Sequence, residues 1–257
     1  MRLAGRHALV TGAGRGIGLH IAKALAAEGC RLTLVGRSAP LLQQASSACR
    51  SAGSPRTDIS PRDLTERGSL RGLAASIAGQ IDILVNNAGT APSAPLEQTN
   101  EVLWEQTFAL NSFAPFVLCK ATLPAMLERG WGRVVNVAST AALHGYAYTA
   151  AYTSSKHALL GLTRALDAEL RHRNPEADVS VNAVCPGFVD TELLKPTLER
   201  LVKGGASEAE ARERLGSMNP GGRLLRPEEV AEAVVRLVCE EPAVTRGAAV
   251  ELLAGLG

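Results

Sequence analysis

The sequence predicts an α/β fold in which a doubly wound parallel sheet of about seven strands carries helices on both faces. Short runs rich in valine, isoleucine and leucine alternate along the chain with longer stretches whose apolar residues recur at helical spacing. The 257 residues, 46% of them hydrophobic, suffice for one large domain, and we find no repeat or linker. We therefore expect a single domain over residues 1–257.

The first half of the chain is predicted to alternate strands and helices. Strands are expected over 7–11, 31–36 and 82–86 and within 56–62, and helices over 16–28, 40–52 and 63–77. The strand within 56–62 is the least regular. Pro61 places it at a sheet edge, because proline cannot donate a ladder hydrogen bond.

The second half continues the pattern and contains one insertion. Helices are expected over 100–128, 152–173 and from 227, and strands over 133–138, 178–185 and 248–253. Residues 193–222 resemble two short helices, the second beginning with a capping box from Ser207 to Glu210. We interpret the insertion at about 192–222 as a lid over a substrate site.

Composition excludes several classes of function. A net charge of +2 gives no indication of nucleic-acid or membrane binding. The five scattered cysteines lack metal-ligand spacing, so we predict no metal site and a reducing compartment. The chain shows no apolar signal region and no uninterrupted apolar run long enough to cross a bilayer. A cytoplasmic protein is expected.

A glycine-rich loop, Thr11-Gly12-Ala13-Gly14-Arg15-Gly16-Ile17-Gly18, joins the first predicted strand to the first helix. Glycines at this point allow a tight turn and the close approach of a pyrophosphate to the free N–H groups of the helix. The alternative is an ordinary strand-to-helix turn. Its position in a βαβ unit favours a dinucleotide site.

The residues after the second strand bear on the choice of cofactor. An acidic residue that would bind the ribose hydroxyls of NAD is absent, and Gly36-Arg37 stands there instead. A guanidinium can hold a 2′-phosphate with two hydrogen bonds, and Arg15 could approach from the other side. The alternative is that both arginines are simply solvated. We expect NADP(H) in preference to NAD(H).

Tyr152 and Lys156 lie four residues apart in a predicted helix, so the phenol and the ammonium share one face. An ammonium about 4 Å away would lower the pKa of a tyrosine from ~10 by nearly three units at an effective dielectric constant of about 20. Such a tyrosine could transfer a proton near neutral pH. A half-buried aromatic residue and a solvated charge are the ordinary alternative.

Four separated motifs agree, and the chain resembles the classical short-chain dehydrogenase/reductase family over essentially its whole length. The motifs are the glycine loop over 11–18, Asn86-Asn87-Ala88-Gly89, Ser139 with Tyr152 and Lys156, and Pro186-Gly187 with Thr191. The resemblance implies a single Rossmann-type NAD(P)-binding catalytic domain.

The resemblance also implies catalytic roles. Tyr152 would be the acid in reduction and the base in oxidation, and Lys156 would lower its pKa and bind the nicotinamide ribose. Ser139 would hold the substrate carbonyl oxygen. Asn111 matches the family asparagine that anchors a proton-relay water, and an asparagine in mid-helix tends to bend the helix. Tyr146 and Tyr148 are interpreted as pocket wall.

Cofactor contacts follow from the resemblance in the same way. Asp63 and Leu64 would lie beside the adenine, for which Asp58-Ile59 is the alternative. The full set expected to contact the cofactor is Gly12, Arg15, Gly16, Ile17, Gly18, Arg37, Asp63, Leu64, Asn87, Ala88, Gly89, Tyr152, Lys156, Pro186, Gly187, Val189 and Thr191.

Within the family, stretches 86–117 and 140–191 look most like β-ketoacyl-thioester reductases and hydroxyacyl-CoA dehydrogenases, and segments 244–247 and 254–257 resemble polyketide ketoreductases. We therefore expect NADP(H)-dependent reduction of a 3-oxoacyl thioester, on acyl carrier protein or CoA. Apolar lid residues (Leu193, Leu194, Leu198) beside a basic rim (Lys195, Arg200, Lys203, Arg212, Arg214) would suit such a substrate.

Two alternatives remain open. One is an NAD(P)-dependent dehydrogenase that oxidises a secondary or cyclic alcohol or a hydroxyacyl-CoA. The other is a non-catalytic cofactor-binding regulator, against which the intact Asn111, Ser139, Tyr152 and Lys156 set argues. A homotetramer or dimer is implied, although Leu253-Ala254-Gly255 replaces the family's usual Asp-Gly-Gly at the last strand.

Overall fold

The computed structural model describes residues 1–240 and 245–252. Its seven strands form one parallel sheet in the order β3-β2-β1-β4-β5-β6-β7. The strands are β1 His7–Thr11, β2 Arg31–Gly36, β3 Thr57–Pro61, β4 Ile83–Asn86, β5 Trp131–Val137, β6 Asp178–Pro186 and β7 Ala249–Leu252. The predicted fold class is confirmed, and β3 lies at the sheet edge as Pro61 indicated.

Helices cover both faces of the sheet. They are α1 Gly16–Ala27, α2 Ala39–Ala52, α3 Arg67–Ile77, α4 Glu101–Phe108, α5 Ala114–Glu128, α6 Ala150–Arg173, α7 Lys195–Lys203, α8 Glu208–Gly216 and α9 Pro227–Cys239. One buried core joins the sheet to α1, α2 and α9, and a second joins the opposite face to α3 and α5. Strands apolar on both faces are typical of such a sheet.

The strand order reverses at β1, which pairs with β2 on one side and with β4 on the other. Thr11 is in register with Val35, and Val10 with Val85, so the carboxyl ends of these strands meet at one edge. In open α/β sheets this switch point is where ligands bind, because the loops diverge there and leave a crevice. The glycine loop begins at this edge.

The predicted 100–128 helix is not a regular α-helix. A π-turn over Ala109–Phe113 separates α4 from α5, and Asn111 is buried at its centre. The regular helix is therefore interrupted at the asparagine, where the sequence suggested a bend. The extra residue in the π-turn rotates the asparagine inward, and such turns are frequent at functional sites.

Helix α3 begins at Arg67 and not at position 63 as predicted. The Asp63 carboxylate accepts hydrogen bonds from the main-chain N–H of Thr65 at 2.8 Å and from its hydroxyl at 2.7 Å. This local turn competes with helix formation, which is why the helix starts later. For β7, position 253 of the predicted strand lies outside the described residues, as do segment 254–257 and residue 244.

The insertion forms a short 3₁₀ turn (Glu192–Leu194) followed by α7 and α8. The predicted capping box is confirmed, since Ser207 N–H and Glu210 Oε2 are 2.8 Å apart and the Ser207 hydroxyl accepts from Glu210 N–H at 3.2 Å. Leu198, Ala211 and Leu215 form a small core between the two helices. Leu198 is thus committed to the fold of the insertion, whereas Leu193 is 50% exposed.

Within the described ranges, the continuous helical stretch Glu101–Glu128 is the one with the length and mean hydropathy (1.3) of a membrane span. Its inward face contributes Leu118, Cys119 and Met126 to the core under the sheet. Packing in the fold therefore explains its apolar character, as for the core helix of many globular domains. Its outward face carries exposed aromatic residues, considered below.

Candidate active site

The predicted catalytic side chains meet at the carboxyl edge of the sheet, although they come from three separate elements. Ser139 follows β5 and precedes a 3₁₀ turn over Thr140–Ala142. Tyr152 and Lys156 lie on the first turns of α6, and Asn111 lies in the π-turn. The structure therefore brings together all four residues that the sequence selected.

The electrostatics of Tyr152 differ from the expectation. Burial raises the pKa of its phenol, and the hydrogen bond from Ser139 counteracts this only in part. The Lys156 ammonium lies 5.9 Å from the centre of the Tyr152 ring and donates to the main-chain oxygen of Val137 at 2.8 Å. The expectation that the ammonium holds the tyrosine pKa low is wrong for this structure, because the lysine is directed at a carbonyl.

The buried position of Lys156 changes its own ionisation. Only 5% of the residue is exposed, and the pKa of the ammonium falls to about 8 because burial removes the water that would solvate the charge. A single carbonyl dipole does not replace that solvation. The amine is therefore able to change its protonation state at mildly alkaline pH.

Asn111 connects the loop after β4 to α6. Its Oδ1 accepts from Thr90 N–H at 2.9 Å, and its Nδ2 donates to the Thr90 oxygen at 2.9 Å and to Ser155 Oγ at 3.0 Å. The Ser155 hydroxyl in turn donates to the main-chain oxygen of Tyr152 at 2.7 Å. Both amide hydrogens are used, so this asparagine fixes the start of α6 and hence the height of the tyrosine above the sheet.

The glycine loop is bound tightly to the loop after β4. Thr11 Oγ1 accepts from the N–H groups of Asn87 and Ala88 at 3.0 Å each, and Asn87 Nδ2 donates to the Thr11 oxygen at 2.9 Å. A Cβ on Gly12 (φ +66°) would lie 2.8 Å from Asn87 Nδ2, and one on Gly18 would lie 2.2 Å from the Gly12 oxygen. Only glycine fits these two positions.

This cradle fits a dinucleotide. The N–H groups of the first turn of α1 are directed toward the glycine loop, and that turn carries no acidic side chain that would repel a pyrophosphate. Ile17, Ala88 and Gly89 lie along the same edge. A Cβ on Gly89 would come within 3.6 Å of Lys156 Nζ, so the cradle is continuous with the catalytic residues.

The two arginines expected at a 2′-phosphate are in different situations. Arg37 is exposed just beyond β2 and lowers the pKa of Asp63, although the hydrogen bonds from Thr65 lower it more. Arg15 instead forms an ion pair with Glu192 at the start of the insertion. The guanidinium of Arg15 therefore spans from the glycine loop to the insertion and does not point toward Arg37's end of the crevice.

The adenine candidates can be compared by position. Asp63 and Leu64 follow the carboxyl end of β3, at the edge that carries the cradle. Asp58 lies inside β3, in register with Thr33, and its carboxylate is 2.9 Å from Arg56 Nε. The alternative Asp58-Ile59 is thus placed away from the crevice, since Ile59 packs against the core on the other face.

The segment from Pro186 to Thr191, where the resemblance places the nicotinamide, depends on a residue that the sequence analysis did not select. Asn219 is buried, accepts from Phe188 N–H at 2.8 Å, and donates to the main-chain oxygens of Phe188 (2.9 Å) and Arg223 (2.7 Å). A Cβ on Gly187 would lie 2.2 Å from Asn219 Oδ1. An asparagine before a proline reads as an ordinary turn, so no pattern signalled this role.

Thr191 and Val189 complete this end of the site. A Cβ on Gly16 would lie 3.5 Å from Thr191 Cγ2, so the glycine loop and the start of the insertion are in contact distance. Val189 is buried and forms an isolated bridge with Leu225 where the chain returns from the insertion. Both ends of the insertion are thereby fixed beside the crevice.

Tyr146 and Tyr148, expected to be pocket wall, differ in how far they pack against the protein. The Tyr146 hydroxyl donates to Thr140 Oγ1 at 3.0 Å, and its ring meets Phe188 edge-on at 6.3 Å. Tyr148 is 64% exposed and adopts φ +64°, the left-handed region. Across residues 1–240 and 245–252, no three histidine, cysteine or acidic side chains are placed to hold a metal ion.

Comparison with known proteins finds relatives that are named as dehydrogenases and reductases. A family model described as short chain dehydrogenase matches residues 6–201. A curated relative named putative ketoacyl reductase, from Streptomyces coelicolor, is 37% identical over 256 residues, covering 97% of this chain and 96% of its own length. D-beta-hydroxybutyrate dehydrogenase from Cupriavidus necator is 35% identical over 251 residues and covers 96% and 95%.

Solved structures agree with these relatives. A single-substitution variant of actinorhodin polyketide ketoreductase with NADPH superposes with a TM-score of 0.89 at 35% identity, covering 100% of this chain and 98% of the other. An NAD⁺-bound xylitol dehydrogenase gives a TM-score of 0.88 at 27% identity, covering 99% and 100%. Proteins named for NADPH and for NAD⁺ thus share this fold.

The buried ammonium gives a prediction about stability. Because the pKa of Lys156 is lower in the folded chain (about 8) than in the unfolded chain (~10.4), the folded state binds fewer protons between these values, and stability rises with pH there. Below pH 8 the buried amine is charged, and the full free-energy cost of burying that charge destabilises the folded chain. We expect Lys156→Met to raise the free energy of unfolding at pH 7 by up to about 3 kcal/mol, and less as pH approaches 10.

Urea unfolding of both proteins from pH 7 to pH 10 measures this difference. Lys120→Met, at an exposed position on α5, is the matched control and should show no pH-dependent difference. A Lys156→Met effect that stays constant across the range would contradict the interpretation.

Proposed function

The chain belongs to the short chain dehydrogenase family, and we propose that within it the protein is an NADP(H)-dependent reductase of 3-oxoacyl thioesters, on acyl carrier protein or CoA. As a member, it is an oxidoreductase acting on the CH–OH/C=O pair. One observation carries the proposal: the Tyr152 phenol, the Ser139 hydroxyl and the Lys156 amine converge beside a glycine cradle that fits a dinucleotide. Two relatives named as ketoacyl reductases support the substrate class.

In the proposed reaction, a bound nicotinamide supplies the hydride that reaches the carbonyl carbon. Tyr152 gives its phenolic proton to the carbonyl oxygen, so the product is the hydroxy compound and a phenolate remains until a proton returns. Ser139 donates a hydrogen bond to the same oxygen and stabilises the charge that grows there. Before a carbonyl binds, the same hydroxyl instead hydrogen-bonds the Tyr152 phenol and offsets in part the effect of burial, which disfavours the phenolate.

Asn111 and Lys156 support Tyr152 without contacting the substrate carbonyl. Asn111 holds Ser155, which holds the main chain of Tyr152, so the proton donor stays in place while substrate enters. The Lys156 amine can turn from the Val137 oxygen toward a ribose hydroxyl or the phenolate, and its pKa of about 8 lets it pass a proton without a large free-energy cost.

The insertion supplies the proposed substrate surface. Its exposed large apolar side chains are Leu193, Val202 and Met218, and the basic residues beside them differ in whether they already have a partner. Arg200 donates to Ser93 Oγ at 3.1 Å, and Arg212 pairs with Asp190 at 2.7 Å. Within the part of the chain that the structure describes, Lys195, Lys203 and Arg214 form no ion pair. These three charges are the ones that we assign to an anionic carrier.

A second candidate function is supported by the relatives named D-beta-hydroxybutyrate dehydrogenase and D-threitol dehydrogenase. The same residues would then run the reaction in reverse, with Tyr152 accepting the hydroxyl proton of a secondary alcohol. The geometry of the site serves both directions, because the acid of the reduction is the base of the oxidation. Substrate and cofactor preference separate the two candidates.

A substrate panel with one mutant tests the reaction. We expect NADPH oxidation with acetoacetyl-CoA and longer β-ketoacyl thioesters, and a loss of roughly 10²- to 10⁴-fold in kcat/KM for Tyr152→Phe because the proton donor is removed. Tyr146→Phe, which removes a hydroxyl outside the reacting set, is the control and should stay within a few-fold. Activity confined to NAD-linked alcohol oxidation would establish the second candidate instead.

We propose that Arg37 is the main 2′-phosphate contact, since Arg15 is held by Glu192. Arg37→Leu should weaken NADPH binding roughly 10- to 100-fold, the worth of a hydrogen bond to a charged group, and leave NADH nearly unchanged. Glu192→Gln frees Arg15 and should tighten NADPH about two- to five-fold, as an exposed ion pair allows. Cofactor fluorescence titration measures both.

Glu199→Gln, at an exposed position of α7, is the control for removing one negative charge from the insertion. Equal weakening of NADPH and NADH by Arg37→Leu would show that this arginine does not distinguish the two cofactors.

We propose a homotetramer or dimer in the cytoplasm, where the five free cysteines would stay reduced. The helical stretch that contains the π-turn exposes Trp104 (40%), Phe113 (37%) and Phe116 (42%), a patch that a second copy would cover. Phe116→Glu should shift the species seen by sedimentation velocity to a smaller one. Met218→Glu, at an exposed (51%) apolar position on the insertion, should not.

A further inference from the structure

A polar cavity lies at the edge of the sheet opposite the candidate active site. It measures about 300 Å³ and sits between the amino ends of β1, β2 and β3 and the last turns of α3. Its polar lining includes His7, Arg31, Thr33, Arg56, Asp58 and Ser60, and Leu73, Ile77 and Ile81 form its apolar part. None of these residues belongs to the cofactor cradle or to the catalytic set.

The hydrogen bonds of His7 conflict with one another. The ring is buried, and its Nδ1 faces Arg31 Nη2 at 2.6 Å and the main-chain oxygen of Gln80 at 3.0 Å. The guanidinium is only a donor and the carbonyl only an acceptor, so a neutral Nδ1 can satisfy one of them but not both. Protonation does not resolve this, because burial and the charge of Arg31 lower the pKa of His7.

Arg31 has no anionic partner among the described residues. It is half-buried, and its side-chain hydrogen bond is the contested one to His7. Of the carboxylates nearby, Asp58 pairs with Arg56 at 2.9 Å, and Asp82 accepts the main-chain N–H of His7 and pairs with Arg129 at 3.4 Å. A half-buried guanidinium therefore faces a polar cavity with one unmatched positive charge.

We propose that this cavity binds a small oxyanion, a phosphate or carboxylate group, through Arg31. The anion would accept from the guanidinium, and the Nδ1–H of His7 would then be free to donate to the Gln80 oxygen while Thr33 Oγ1 donates to Nε2, 2.8 Å away. Every group in the cluster is satisfied in that arrangement. The Ser60 hydroxyl, which accepts from Arg62 Nε at 3.2 Å, keeps its hydrogen for the ligand. Asp58 limits the positive charge contributed by Arg56.

Equilibrium dialysis with radiolabelled inorganic phosphate tests the site, in the presence of saturating NADPH or NADH so that the glycine cradle is occupied. We expect one phosphate per chain. Arg31→Gln should weaken this binding at least about tenfold, because a charge-assisted hydrogen bond is lost. Asp58→Asn should strengthen it about two- to five-fold, because the carboxylate no longer neutralises Arg56.

The opposite directions of the two variants keep the test decisive even if one of them folds poorly, which thermal unfolding will show. Arg71→Gln, on the exposed side of α3, is the control for removing one positive charge. A parallel titration in which succinate displaces the label distinguishes a carboxylate ligand from a phosphate. Absence of bound phosphate, or binding that neither Arg31→Gln nor Asp58→Asn changes, would overturn the proposal.

Discussion

The position of α6 above the sheet depends on a chain of buried hydrogen bonds. Asn86 at the end of β4 donates to Asn136 Oδ1 in β5 at 2.8 Å, and Asn136 donates to Thr163 Oγ1 in α6 at 2.8 Å. Each polar group is buried, so losing one partner would leave the next unsatisfied in a low-dielectric interior. These bonds fix the positions of β4, β5 and α6 relative to one another. Because α6 carries Tyr152 and Lys156, they also fix where the catalytic side chains lie.

Much of this fold could be predicted, because its elements depend on local signals. The apolar strands, the capping box at Ser207 and the glycine loop each follow from adjacent residues. Contacts between distant residues that no family motif marks could not be predicted. Asn219 forms two hydrogen bonds with Phe188, 31 positions away, and Glu192 meets Arg15 across the crevice. A sequence pattern contains no record of such pairings without knowledge of the folded chain.

The pKa values of the site residues also depend on the folded environment and could not be predicted from local sequence. Helical spacing correctly placed Tyr152 and Lys156 on one face, but the spacing carried no information about solvent. Burial raises the pKa of the phenol and lowers that of the ammonium, so each group moves toward its neutral form. In the chain without ligand the two groups do not form a charged pair. A ligand that hydrogen-bonds both would restore some of the lost solvation, so substrate and cofactor binding would themselves tune the proton transfer.

The polar side chains discussed above lie at the two edges of the sheet, because the buried middles of its strands offer polar groups neither water nor partners. The middles of β1 and β4 are buried on both faces, and an unpaired polar group there would have no water and no partner. Thr11 and Asn86 are the last residues of their strands, whereas His7 and Arg31 are the first, in register with each other. The amino edge thus meets the same physical conditions as the carboxyl edge. A second binding site there requires only polar first residues on adjoining strands, which β1 and β2 provide.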